Sequence, residues 1–211
     1  MTAQRLVCAY ARKYEPAFMV EDLRTNCGWV DDFVELDQSD RASELWSRRD
    51  ERVFQLRRLA ENAGADWCLI MDPDERLEDG AEQRIREVIA GDPGLRYTFP
   101  LLELWTPDTY RTDGTWGRKT RRRLFHLTEP MRRRVLLDDV RMYHLKMIEP
   151  ANRALRARVH NQCNTWDNPR IGFDYLADED GLELAPLPGR GFTPPYRPYH
   201  FEVPEELLAD G

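Results

Sequence analysis

Three carboxylates and an arginine close an apolar run in the stretch Asp66-Trp67-Cys68-Leu69-Ile70-Met71-Asp72-Pro73-Asp74-Glu75-Arg76. Asp72 and Asp74 flank a single proline, so a curled turn can bring both carboxylates to one cation. Magnesium is usually held by one or two carboxylates, with substrate phosphates completing its shell. The chemistry these residues suit is therefore a divalent cation bridging a diphosphate. The plainer alternative is a solvated Pro-acid turn leading into a helix, since turns favour both residue types.

The elements around this turn decide between the two. The run 67–71 is continuously apolar, the pattern of a strand covered on both faces. Pro73 bars further ladder pairing, which puts the acids at the strand's carboxyl end. Ligands of open α/β sheets bind at that end. Residues 5–10 predict a first strand, with Arg12 just beyond it. Pro16 then opens a helix that runs to about Asn26 and stops near Gly28. Residues 30–36 predict a second strand, leading into Asp37-Gln38-Ser39-Asp40. Leu45, Val53, Leu56, Leu59, Ala60 and Ala63 then recur at helical spacing up to Gly64. Strands alternating with helices imply a parallel sheet with helices packed on it. The spacing therefore predicts that Arg12, Asp37 with Asp40, and Asp72 with Asp74 converge at one sheet edge.

The remainder is less regular. Asp79-Gly80-Ala81-Glu82 fits a capping box that opens a helix closed by Gly91. A strand is predicted over 95–105 despite Pro100. The turn-rich stretch 106–117 follows, bracketed by Trp105 and Trp116; it is either a binding loop, with aromatic residues suited to stacking on a ligand, or an ordinary surface excursion. Residues 119–127 predict a strand carrying Arg121, Arg122 and Arg123, and Arg132, Arg133 and Arg134 form a second basic cluster. Such runs are either solvated faces or grips for phosphate. The segment 136–145 contains Asp138, Asp139 and His144, and 152–161 is helix-like and basic. Beyond Thr165 the composition turns to proline, glycine and acids, which predicts a strap or lid over the same domain. The expected division is a catalytic domain over 1–165 and a C-terminal strap over 166–211. His126, His160 and His200 receive no role.

A chain of 211 residues with 41% hydrophobic content can bury one substantial core. Its net charge of −7 argues against non-specific nucleic-acid binding, which wants a basic face. Cys8, Cys27, Cys68 and Cys163 form no Cys-x-x-Cys pair, so neither a zinc site nor a disulfide framework is indicated. No apolar run approaches membrane-spanning length, and the N-terminus lacks a signal pattern. The expectation is a soluble, cytoplasmic protein; nothing in the sequence speaks to oligomeric state.

Three of these pieces, in order, resemble the family-two glycosyltransferases of GT-A fold: the first strand with Arg12, Val34-Glu35-Leu36-Asp37-Gln38-Ser39-Asp40, and Trp67-Cys68-Leu69-Ile70-Met71-Asp72-Pro73-Asp74-Glu75. They cover roughly the N-terminal half; residues 119–126 and Tyr143-His144-Leu145-Lys146 are similar to later family segments more loosely. The resemblance implies a Rossmann-related, mostly parallel sheet, a nucleotide-diphosphate-sugar donor, a magnesium or manganese ion, and inversion at the anomeric carbon. It implies that Arg12, Asp37 and Asp40 line the donor site and that Asp37 holds the base. Asp72 would take the ribose or a metal-bound water, Asp74 the metal, and Glu75 the acceptor side. Family members carry a general base in a Glu-Asp or His-Glu pair. This sequence has no His-Glu pair, and Asp138-Asp139 is the nearest substitute; His144 matches a late metal ligand of some relatives. Two other readings remain: a glycan- or partner-binding module that keeps the fold without catalysis, and a nucleotidyltransferase built on the same carboxylate–metal–diphosphate site.

Overall fold

The computed structural model describes residues 4–38, 49–163, 173–201 and 203. Its first half alternates strand and helix: β1 (Leu6–Arg12), α1 (Ala17–Asn26), β2 (Asp32–Asp37), α2 (Arg49–Asn62) and β3 (Trp67–Met71). A short β4 (Glu75–Leu77) and α3 (Ala81–Ile89) follow. The second half is mainly strand: β5 (Leu95–Thr106), β6 (Thr109–Arg111), β7 (Thr120–His126), β8 (Arg133–Leu136) and β9 (Met142–His144). Then come α4 (Pro150–Cys163) and a short β10 (Leu184–Pro186).

β1 lies between β2 and β3 and is parallel to both, with Arg12 opposite Asp37 and Tyr10 opposite Met71. The continuous apolar character of β1 and β3 has a direct cause, because both faces are covered. Leu6, Cys8, Tyr10, Trp67, Leu69 and Met71 pack with Leu23 of α1 and with Ile85 and Ile89 of α3. Val7, Ala9, Ala11, Cys68 and Ile70 pack on the other face with Leu56 and Ala60 of α2. Alternate residues of a strand point to opposite faces, so each face needs its own apolar set. Gly64, at φ 73°, supplies the left-handed turn that ends α2 and starts the approach to β3.

The ten-stranded sheet is mixed rather than mostly parallel. Past β3 its order continues to β7, β5, β6 and β10, each pair antiparallel. The reason is β7, which follows β5 without an intervening α-helix and runs antiparallel between β5 and β3. Long β5 serves several partners, with β8 parallel to Leu95–Thr98 and β9 parallel to Leu101–Glu103. Pro100 falls in the gap between those two neighbours, where its missing N–H costs no ladder bond.

Two further expectations change. The stretch 106–117 is largely a hairpin between β5 and β6, followed by a turn of 3-10 helix at Trp116–Arg118. The capping box at Asp79 does not form: Gly80 occupies the N-cap position, and Asp79 accepts a hydrogen bond from the Thr193 hydroxyl instead. The C-terminal segment reached by that bond crosses several elements. Tyr143 donates to Pro188 O, Arg197 pairs with Asp22 of α1, and Asn152 of α4 donates to Tyr199 O. No helix among the described residues is long and apolar enough to cross a membrane.

Candidate functional site

The parallel trio ends at one edge, and that edge carries the polar residues. Arg12 donates to Asp37 at 2.7 Å and pairs with Glu35 at 3.0 Å, all three partly open to solvent. Asp40 lies outside the described residues. Beyond β3 the chain turns sharply, with the Glu75 amide donating to Asp72 O and the Asp72 amide donating to Glu75 Oε2 at 2.8 Å. Arg76, nearly inaccessible, braces the turn from behind by donating to Pro73 O and Glu75 O.

Arg123 holds the turn from the side. It donates to Asp72 Oδ2 at 2.9 Å and to Glu75 Oε1. On β7, Arg122 and Leu124 face the consecutive β5 residues Thr98 and Tyr97, which leaves Arg123 as an extra residue in the ladder. A bulge of this kind re-aims the side chain at the bulged position. Burial would raise the Asp72 carboxyl, but Arg123, Arg52 and Lys13 outweigh it and hold the group well below the usual carboxylate range. Glu75 is fully buried, and both of its carboxylate oxygens are spent on the turn and on Arg123.

β4 and β9 pair antiparallel, with Glu75 opposite His144, and the Leu145 amide donates to Asp74 O at 2.9 Å. This brings the His144 ring to the Asp74 side chain, Nε2 3.5 Å from Oδ1. The other ring nitrogen, Nδ1, stands 2.8 Å from Glu103 Oε2, misaligned for a hydrogen bond. Glu103 Oε1 accepts from Lys119 Nζ at 3.0 Å. All of Asp74, His144 and Glu103 are buried. Burial would raise the Asp74 carboxyl, but His144 and Lys146 lower it to about 2. Burial and Asp74 together push the nearby Glu15 carboxyl up to about 7.

Among the described residues no three His, Cys, Asp or Glu side chains gather into a metal cage. Asp74 and His144 form a two-donor arrangement, the number that suffices when phosphates complete the shell. His144 Nε2 is a buried nitrogen without a hydrogen-bond partner, beside an ionised carboxylate. Carboxylate oxygen suits magnesium and manganese, whereas imidazole suits transition ions, so the mixed pair fits manganese better than magnesium.

Asp138 and Asp139 are not brought to this group. Both are exposed, and Asp139 pairs with Arg84 of α3 at 2.7 Å. They precede β9, whereas His144 ends it. Trp105 is also unavailable for stacking on a ligand, since it is buried beneath the Arg153 and Arg111 guanidinium groups. Glu103 went unnoticed in the sequence. Its signal was a lone acid inside the apolar run Leu101-Leu102-Glu103-Leu104-Trp105, and acids are rarely buried without a partner.

Glu103 also lines a cavity of about 180 Å³. Lys119, Arg121, Lys146 and Arg156 line it as well, with Trp116 and Tyr175 among its apolar walls. Burial, together with the charges of Arg156 and Arg121, lowers the Lys146 amine to about 7. No protein-family model matches the chain, and no curated protein matches it either.

Proposed function

We propose that the protein is a metal-dependent, inverting glycosyltransferase of GT-A type. It would move a sugar from a nucleoside-diphosphate donor to an acceptor hydroxyl. The observation that carries this reading is the Asp74–His144 pair, set beside Asp72 at the carboxyl edge of the parallel β1–β2–β3 trio. Asp74 and His144 would hold the cation, and a bound cation would offset charge on the departing diphosphate as a Lewis acid. Arg12 and Asp37 stand at the adjoining strand ends, where the nucleoside would lie. Arg123 fixes the Asp72 carboxylate in place before substrate arrives, which lowers the cost of ordering the site. In the transfer the acceptor oxygen bonds to the anomeric carbon, and the bond to the diphosphate oxygen breaks. The electron pair leaves with the nucleoside diphosphate, and the hydroxyl proton passes to solvent.

Thermal unfolding with UDP, GDP and dTDP, each with and without manganese, tests the proposal. The expected result is stabilisation by at least one nucleotide that depends on manganese and disappears in Asp74→Ala. A folded protein that no nucleotide stabilises with manganese would overturn it. Manganese-dependent nucleotide binding without sugar release from any donor would instead favour a binding module that keeps the fold without catalysis.

A further inference from the structure

The cavity beside the proposed metal pair has a charge that the rest of the chain does not share. The chain carries a net charge of −7. Among the described residues the cavity is lined by four basic side chains and one carboxylate, Glu103. The basic groups come from the approach to β7, β7 itself, the turn after β9, and α4. Lys119 and Arg121 belong to one basic stretch of the sequence, and the fold brings Lys146 and Arg156 to them. Arg156 is buried, and Lys119, Arg121 and Lys146 are half-buried. Like charges brought together in partial burial repel one another, and an anion would relieve that cost.

The walls add a second requirement. Lys119 Nζ sits 3.5 Å from the centre of the Trp116 ring, and Tyr175 and Phe173 pack close by with ring centroids 6.2 Å apart. Aromatic faces beside polar donors suit a sugar ring, whose C–H faces are apolar and whose hydroxyls need partners. A volume of about 180 Å³ admits one monosaccharide unit, not a folded polymer. The position is also informative. Glu103 belongs both to the cavity wall and to the His144 contact, so one carboxylate and one imidazole separate the cavity from Asp74.

We propose that this cavity is the acceptor subsite and that it takes an anionic sugar unit, a hexose carrying a carboxylate or a phosphate. The assignment of the unit as acceptor rests on the transferase reading above; the binding of an anionic sugar does not. Arg121 and Lys146 would meet the anionic group, and Tyr175 the ring.

Calorimetric titration of the full chain with glucuronate, a hexose phosphate, glucose and inorganic phosphate tests the proposal. Glucuronate or the hexose phosphate should bind at least tenfold more tightly than glucose and than phosphate alone. Arg121→Gln should weaken the anionic sugars by about tenfold, the loss of one charge-assisted hydrogen bond. Tyr175→Ala, at a 42% exposed position, should weaken them several-fold through the ring. Equal binding of glucose, equal binding of phosphate alone, or wild-type affinity in Arg121→Gln would each overturn the proposal. Repeating the titration with UDP and manganese present separates acceptor from donor. Unchanged sugar affinity supports the subsite, and competition would mean the cavity holds the donor's phosphates. Anionic-sugar binding without any nucleotide-dependent stabilisation keeps the cavity's ligand class and removes the transferase reading.

Discussion

His144 Nε2 stands 3.5 Å from Asp74 Oδ1, while the other nitrogen of the same ring, Nδ1, stands 2.8 Å from Glu103 Oε2. A carboxylate this close behind an imidazole favours positive charge on the ring and so raises its basicity as a ligand. Burial would raise the Glu103 carboxyl, but the neighbouring His144 ring and Lys119 ammonium hold it well below the usual range. Glu103→Gln preserves shape and removes the charge. Manganese affinity, titrated with a nucleoside diphosphate present, should fall about 10- to 100-fold in this variant. Asp74→Ala should abolish it. Wild-type manganese affinity in Glu103→Gln would show that the carboxylate does not act through the histidine.

Arg123 is the brace of the acidic turn. Its guanidinium is nearly covered and serves two carboxylates, Asp72 and the fully buried Glu75. Removing one partner of a buried ion pair leaves an uncompensated charge and costs about 3–5 kcal/mol. Arg123→Met should therefore lower the Tm by about 10 °C in a chain of this size. Arg123→Lys keeps the charge but loses the fork that reaches two acceptors, and should fall between the two. Calorimetry of the three proteins checks the order. A Tm in Arg123→Met equal to wild type would remove Arg123 from this role.

The sequence made the parallel half legible because its signals are local. β1 and β3 are unbroken apolar runs, α2 has a clear period, and Gly64 stops it. The strand ends then place Arg12, Asp37 and Asp72 together by topology alone. The second half depends on pairings that leave no local trace. Pro100 argued against a long strand and is tolerated only because the neighbours of β5 change there. Arg123 looked like its exposed neighbour Arg122, and the β7 bulge that separates their roles cannot be read from Arg121-Arg122-Arg123. Asp138-Asp139 met the compositional need for a base, but placement is tertiary. Their strand connection leaves them exposed beyond the start of β9, and it was the lone acid in β5 that reached the histidine.

Asp31 offers a pH test away from the Asp74–His144 pair. Its carboxylate accepts two hydrogen bonds from Arg86 of α3 and one from the Leu6 amide at 2.6 Å. Arg86 lowers its pKa, partial burial opposes the shift, and the Leu6 amide adds to the lowering. A folded pKa below the unfolded one gives stabilisation that is complete above about pH 4 and is lost as the pH falls through the folded value. Asp31→Asn should be less stable than wild type at neutral pH. The difference in denaturant midpoint should close as the pH drops below about 4. A gap that stays constant from pH 7 into the acid range would exclude ionisation of Asp31 as its source.

Asn26 ties the C-terminal segment to the turn region. Its side chain accepts from the Leu77 amide at 2.7 Å and donates to Leu77 O and to Thr193 O at 3.0 and 2.9 Å. One residue at the end of α1 thus joins β4 to a segment 167 positions later. Asn26→Ala leaves the Leu77 amide without its acceptor and releases the Thr193 carbonyl, while the Thr193 hydroxyl keeps its bond to Asp79. The substitution should destabilise the fold by about 2–3 kcal/mol, a lost pair of hydrogen bonds plus an unmade buried donor. The local effect should exceed the global one, because segments held by few bonds open first. Limited proteolysis should cut the variant within 187–201 well before any cleavage inside β1 or β3. A variant that loses global stability but is cleaved there no faster than wild type would show that Asn26 serves β4 alone.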